Sequence, residues 1–450
     1  MPQDYGDEFG LWWDEPPRAK RGEGARVLDF NLDRIKIQPN WTHPTELPEL
    51  EGYVAVDFET EDPDIHDIGP SWAFPGRGKI VGTALAVKDA QWYFATQHEG
   101  GDNGPWQHEQ FMRYLKYQLS KPTVFPIFAN APYDLGWLKR EGIVPYNKPS
   151  DVQVMMTLLD EHRFTYALDA LGRDLLQRHK DESILTKAVE QALATVDVKA
   201  RLVKQNLFRL PGRYSGLYGE QDGRLTWDVH ELLLPRIKEE GLEQVYELEQ
   251  SMTPIAVDMR WNGVRVNSDR AEEVRDLLIG KEAAIIAAVK ERTGVAVDAW
   301  DKAAIVRALR TEGITPPKTA KGQDSVTKQW LAELDHPLAR EIMQIRIYNK
   351  ARTTFIDGHV LGHAINGRVH CQFHQLRSED EQGTGHGAIT GRWSSSDPNL
   401  QQLPKRMKEI LYLVRSLFLP EEGQKWASLD YSSQEPRLTL HYAHLTKQRG

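Results

Sequence analysis

The chain has 450 residues, 40% of them hydrophobic and 27% charged, which fits an ordinary soluble protein of two or three domains. Lys and Arg total 56 against 65 Asp and Glu, a net charge of −9, which argues against a protein coated in basic surface such as a passive DNA packager. The single cysteine, Cys371, excludes an internal disulfide framework and suits a reducing cytoplasm, and no apolar run of about 18 residues offers a transmembrane helix.

Residues 1–48 read as an extended leader without a signal peptide. Prolines and glycines interrupt it, Trp12, Trp13 and Trp41 can tack it onto a surface, and Lys20-Arg21 reads as solvated. From Glu51 the pattern turns α/β. Residues 54–60, Val-Ala-Val-Asp-Phe-Glu-Thr, read as a buried strand. Residues two apart on a strand share a face, so Asp57 and Glu59 project side by side. Two desolvated like charges need compensation, and oxygen ligands suit Mg²⁺ or Mn²⁺. An isolated Asp-x-Glu usually just faces solvent; matching acidic motifs downstream reverse that reading here.

Strands follow at 80–87 and 91–96, joined by Lys88-Asp89-Ala90. A helix is expected over 107–120 from Phe111, Leu115 and Leu119, and a short strand over 124–128. That strand ends at Asn130-Ala131-Pro132-Tyr133-Asp134, with a helix starting near Leu135. Helices are expected over 151–159 and 169–176. Residues 177–213 carry Arg178, Lys180, Lys187, Lys199, Arg201, Lys204, Arg209 and Arg213, a solvated face or a set of phosphate contacts. Tyr218-Gly219-Glu220-Gln221-Asp222 opens a helix to about Leu234, with Tyr218 and Asp222 on one face.

A helix-rich stretch runs from 239 to 350, interrupted by Gly263 to Asn267, a turn into a strand, and by a loop holding Lys318 and Lys321. A strand is expected over 368–375, then a Gly-rich tract, then Arg392 to Gln402, a strand over 426–430 and a helix carrying Glu435 and Arg437. Two polar groups read as structural. His370 and His374 stand about 13 Å apart on a strand, too far to share one ion, and Asp62, Asp64, His66 and Asp67 read as a solvated loop.

Asp57 and Glu59, Asn130 with Asp134, and Tyr218 with Asp222 form an ordered set on a strand, a turn and a helix. Four converging carboxylates would hold two divalent ions about 3.5–4 Å apart, suited to in-line attack on a phosphodiester. Tyr218 is placed to hydrogen-bond the attacking water, and Asn130 to orient a neighbouring ligand. The set resembles the three motifs of the DEDD 3′–5′ exonucleases of the tyrosine subtype. That resemblance covers residues 51 to about 235 and implies an RNase H-like α/β domain that shortens single-stranded DNA.

Thr390 to Gln401 and Leu429 to Arg437 resemble the primer-strand motif and palm motif A of the family A DNA polymerases, phage replicative enzymes most nearly. Asn262 to Asn267, Arg346 to Gly358 and Gly367 to His370 are also similar to that family. The resemblance implies that Asp430 binds both catalytic metals and that the Tyr431 carbonyl is a further ligand. It implies that Glu435 excludes a ribose 2′-hydroxyl, that Arg392 contacts the primer end, and that Arg437, Gln401 and Gln402 touch template or primer. Pro436 replaces the commoner leucine.

The expected architecture is therefore an α/β exonuclease domain with a mixed sheet plus an α+β thumb and partial palm. The expected division is a leader (1–48), exonuclease (49–237), thumb-like region (238–350) and partial palm (351–450). The expected cofactors are two Mg²⁺ or Mn²⁺ ions per site. The expected partners are single-stranded and primer–template DNA, deoxynucleoside triphosphates in the completed enzyme, and a C-terminal polymerase fragment supplying fingers, the motif C carboxylate and the triphosphate clamp. No membrane is expected, and a cytoplasmic location is. A non-catalytic DNA-gripping subunit and a stand-alone exonuclease are the alternatives.

Overall fold

The structure is a computed structural model that describes residues 29–63, 65–377, 387–405 and 407–447. Trp12, Trp13, Lys20, Arg21 and Asp64 lie outside the described residues. The first half is built on β1 (Gly52–Glu61), flanked by β2 (Lys79–Val87) and β3 (Ala90–Ala95). Next come α1 (His108–Leu119), β4 (Val124–Phe128), α2 (Ala131–Arg140), β5 (Ser150–Asp151) and α3 (Val152–Leu159). The sheet order is β3-β2-β1-β4-β5, antiparallel on the β2 side of β1 and parallel on the β4 side. β1 thus has a neighbour on each side, and Val54, Ala55 and Val56 are fully buried in it. β2 is buried on both faces, which is why its sequence is a nearly unbroken apolar run.

The sheet is covered by α4 (Leu168–Leu176), α5 (Ser183–Leu193), α6 (Ala200–Asn206) and the long α7 (Arg213–Glu239). α7 starts one turn earlier than the sequence suggested, and α2 starts at Ala131 because Asp151 caps it. Asp151 Oδ2 accepts from Ala131 N at 2.7 Å, and Pro132 sits in the first turn, where no donor is lost. Asn130, just before it, takes a left-handed conformation (φ 74°).

Glycines let α7 settle closely. A Cβ at Gly219 would overlap the Tyr93 ring, and one at Gly216 would overlap Trp41. Trp41 belongs to residues 29–48, which strap the helices. Trp41 Nε1 donates to Glu220 Oε1 at 2.8 Å, Tyr214 Oη donates to Ile37 O at 2.9 Å, and Asn31 N donates to Ala192 O at 3.0 Å.

The second half begins with α8 (Glu243–Asn262), β6 (Val264–Val266) and α9 (Ser268–Thr293). Gly263 turns the chain with φ 58°, and Asn267 Oδ1 caps α9 by accepting from Arg270 N at 2.9 Å. α10 (Lys302–Thr311), α11 (Lys328–Glu333) and α12 (Pro337–Lys350) pack with the end of α9 around Ile305, Leu309, Leu331 and Ile342. α12 runs into a π-helix, Ala351–Leu361. Then come β7 (Ala364–Ile365), β8 (Arg368–Val369), β9 (Gln372–His374), β10 (Ser394–Ser396), α13 (Lys408–Arg415), β11 (Phe418–Leu419) and α14 (Gln434–Lys447). A four-stranded sheet in the order β11-β6-β8-β7 packs on α9 and the π-helix. Among the described residues, no helix is long and apolar enough to cross a membrane.

Three expectations need correction. The strand over 368–375 is two short strands in different sheets, because His370 turns away and its Nδ1 meets Arg260 O at 2.7 Å. Residues 426–430 form no strand: nothing among the described residues pairs with them, and Leu429 is 95% exposed. Asp62 is not in a solvated loop. It accepts from Ser71 N at 3.0 Å and from Tyr133 Oη at 3.1 Å.

Two glycine substitutions contrast a packed helix face with an open one. Gly219→Val forces a branched side chain against Tyr93 and costs about 1–3 kcal/mol. In Gly280→Ala, a Cβ on α9 meets nothing within 4 Å, so the change adds roughly 0.5–1 kcal/mol by restraining the unfolded chain. Urea denaturation of both variants reads the two signs.

Candidate active site

β1 carries Asp57 and Glu59 two residues apart, where alternation points both to one face. Their cross-strand partners are small: Asp57 faces Ala84 and Glu59 faces Gly82. That leaves space over the strand, and α7 fills it with Asp222. Asp57, Glu59 and Asp222 each present an oxygen, all within 4.8 Å of one another. Asp222 is buried, whereas Asp57 and Glu59 remain partly open to solvent, as a cluster that meets a substrate must be.

Asp134, on the first turns of α2, is 2% exposed. Its Oδ1 accepts from Phe58 N at 3.1 Å, which ties α2 to β1 between the two strand acids. It stands behind the three gathered carboxylates rather than among them. Tyr218, one turn before Asp222 on α7, is 6% exposed. Asn130 lines a cavity of about 380 Å³ between α2, α3, α8 and β9, beside Tyr133, Arg260 and Gln372.

The electrostatics follow from burial of like charges. Desolvation first and the Asp222 carboxylate second push Asp57 up to about 7. Desolvation and then Asp57 push Glu59 well above the ordinary carboxylate range, and Asp134 is raised by the same two causes. Burial, then Asp222, holds Tyr218 well above 10, so its hydroxyl stays a donor.

An all-oxygen cluster whose repulsion lifts its own proton affinities is a chemical fit for a hard divalent cation. Asp57, Glu59 and Asp222 are the residues that would hold it. Among the described residues no other group of three such side chains gathers in this way.

Two features escaped the sequence reading. Lys180 is not part of a solvated basic face: its Nζ lies 2.8 Å from Asp222 Oδ1, with the side chain 10% exposed. Asp151 is 3% exposed and accepts from Ala131 N and, at 2.8 Å, from Gln153 N, fixing the turn that presents Asn130 and Asp134. The signal for Asp151 was its place before an apolar helix, a cap position; Lys180 had none.

The C-terminal candidates sit differently. Asp430 and Tyr431 lie in an exposed irregular segment before α14. Glu435 opens α14, and Arg392 Nη2 reaches its Oε1 at 3.2 Å, with both side chains about three-quarters exposed. Gln401 Nε2 donates to Trp393 O at 3.1 Å, Gln402 shares the same short 3₁₀ turn, and Arg437 Nη2 contacts Ser432 Oγ at 3.4 Å. Asp430 therefore shares no three-carboxylate cluster among the described residues.

With this geometry in place, the similarity to known proteins becomes specific. Residues 289–449 match the sequence model of DNA polymerase family A. Over these residues the chain is similar to the family A DNA polymerases. It is 37% identical over 426 residues to the DNA-directed DNA polymerase of Pseudomonas phage M6, covering 91% of this chain and 62% of the phage protein. It is 25% identical over 464 residues to DNA polymerase I of Pseudomonas aeruginosa, covering 98% of this chain and 47% of that enzyme. The chain thus spans less than two thirds of the length of these relatives. Its fold is similar to the POL domain of Pol1 from M. smegmatis, solved in complex with DNA primer-template and dNTP. The TM-score is 0.62 at 18% identity, covering 87% of this chain and 59% of that one.

The repulsion in the cluster sets a pH dependence. Asp57 is raised in the folded state from 3.8 to about 7, so the associated stability is fully present below pH 3.8 and is lost as pH rises towards 7. Metal-free protein should be less stable at pH 8 than Asp57→Asn by on the order of 1–2 kcal/mol after solvent screening, and the difference should vanish near pH 4. Added Mg²⁺ should raise the wild-type melting temperature and leave that of Asp57→Asn unmoved. Calorimetric scans at the two pH values, with and without Mg²⁺, check both.

Proposed function

We propose that the chain is the exonuclease-bearing part of a replicative family A DNA polymerase. In this reading it removes 3′-terminal nucleotides from single-stranded DNA and proofreads the primer end. The observation that carries this is the gathering of Asp57, Glu59 and Asp222 within 4.8 Å, with Asp134 bonded to the backbone between the two strand acids. Support also comes from the five-stranded mixed sheet, with Asp57 and Glu59 on its central strand.

Two bound divalent cations, Mg²⁺ or Mn²⁺, would lower the pKa of an attacking water and stabilise the leaving 3′ oxygen. Asp57, Glu59 and Asp222 hold that charge, and Asp134 fixes the strand backbone between two of them. The protonated Tyr218 hydroxyl donates a hydrogen bond that orients the water. Asn130, at the mouth of the neighbouring cavity, steers the single strand.

The same proposal gives the second half a polymerase role. Asp430 and the Tyr431 carbonyl bind catalytic metal, Glu435 senses the sugar of a deoxynucleoside triphosphate, and Arg392, Gln401, Gln402 and Arg437 meet primer–template DNA. Polymerisation of this kind needs a second carboxylate and a cation clamp on the triphosphate. A C-terminal polymerase segment supplies them in this reading. Trp426, Leu440 and Tyr442, each more than 60% exposed, offer it an apolar surface.

Incubation of the chain with 5′-labelled single-stranded DNA and Mg²⁺ should give a ladder shortened from the 3′ end. Asp57→Ala or Asp222→Ala should slow it by about 10³-fold or more, and Tyr218→Phe by roughly 10–10²-fold. Undiminished shortening in Asp57→Ala would defeat the nuclease reading.

A further inference from the structure

Lys180 is a largely buried cation, its side chain 10% exposed, that the nuclease reading leaves without a task. It lies between α4 and α5, and lysine is almost never buried unless paired. Here the partner is Asp222, one of the three carboxylates gathered for a cation. The ammonium also sits 5.7 Å from the centre of the Tyr218 ring. Its charge favours the ionised forms of Asp57 and Glu59 as well as contacting Asp222.

The backbone around Lys180 is stapled to α7 on both sides of Asp222. Arg178 pairs with Asp228, and Asp181 N donates to Gln221 Oε1 at 2.9 Å. The ammonium can leave by swinging its flexible four-carbon stem, with no movement of the loop needed. A divalent ion at a comparable distance gains about twice the Coulomb attraction of an ammonium, yet it is repelled while the ammonium stays.

We propose that Lys180 is a resident counter-ion that stands in for the divalent metal, so that metal binding at this site is an exchange in which Lys180 leaves Asp222. The proposal rests on the reading of Asp57, Glu59 and Asp222 as metal ligands. The lysine offsets the repulsion among the carboxylates in metal-free protein and sets the concentration at which metal loads the site. Lys204 on α6 is the natural control. It is exposed and acts on Asp57 and Glu59 through charge alone.

The test is Mn²⁺ binding to the full chain, followed by the electron paramagnetic resonance signal of free Mn²⁺. Lys180→Met keeps the stem and deletes the charge. It should bind Mn²⁺ about tenfold more tightly than wild type, whereas Lys204→Met should shift the midpoint by less than about threefold. Equal or weaker binding by Lys180→Met, or equal shifts in the two variants, overturns the exchange.

A second measurement needs no variant. Reductive methylation read by mass spectrometry should find Lys180 protected without metal and several-fold more reactive with Mg²⁺; unchanged or falling reactivity overturns the proposal. Asp57→Asn separates the two levels of inference. If wild type and Asp57→Asn bind Mn²⁺ alike, the metal-site reading itself fails. If binding depends on Asp57 but Lys180→Met leaves it unchanged, only the exchange fails.

Discussion

Repulsion among three carboxylates is the constraint that the first half of this protein is built to contain. Desolvated like charges within 4.8 Å of one another would push a soft site apart. Here each acid is fixed by a different rigid element. Two come from a strand with neighbours on both edges, and the third comes from a 27-residue helix clamped to the sheet. The small residues Gly82 and Ala84 across from the acids, and Gly216 and Gly219 along the helix, remove the bulk that would keep the helix away. Lys180 supplies the opposite charge. The geometry is thus fixed by scaffold rather than by attraction among the functional groups, which is what preorganisation for a cation requires.

The parts of this arrangement that were legible in the sequence are those that depend on short-range periodicity. Alternation along residues 54–60 puts Asp57 and Glu59 on one face, and helical spacing puts Tyr218 and Asp222 one turn apart. The hairpin signal at Lys88-Asp89-Ala90 also reads locally. The illegible parts depend on partners distant in the chain. Lys180 sits in a run of basic residues and looks like every solvated lysine around it; only the fold brings it to Asp222. Residues 426–430 have strand-like composition, but a strand exists only when another pairs with it, and composition does not encode the partner. The interrupted strand over 368–375 shows the same limit, because Arg260, from a distant helix, draws His370 out of line.

The two acidic centres contrast in a physically informative way. The cluster around Asp57 is partly desolvated, and its acids are strongly raised by burial and by one another. Asp430 lies in an exposed segment among exposed side chains, and Arg392 and Glu435, the nearby candidates in sequence and motif, pair directly with each other at 3.2 Å on the exposed surface. Exposed ion pairs of that kind hold geometry weakly, at about 0–1 kcal/mol. One centre is organised by the residues described here. The other has exposed side chains with little that fixes them.

Among the side chains that join the two halves is Arg260. Its guanidinium donates to His370 O at 2.6 Å and to Ile68 O and Pro70 O at 2.9 Å, so one side chain holds backbone from both sides of the junction. Burial lowers its pKa to about 10, which still leaves it charged near neutral pH. Trp72 and Phe74 flank the guanidinium at about 5.5 Å. A clamp made of a cation, neutral carbonyls and aromatic faces is buried from counter-ions, so salt screens it far less than a surface ion pair. A junction insensitive to salt keeps the distance between the two halves constant as ionic strength changes.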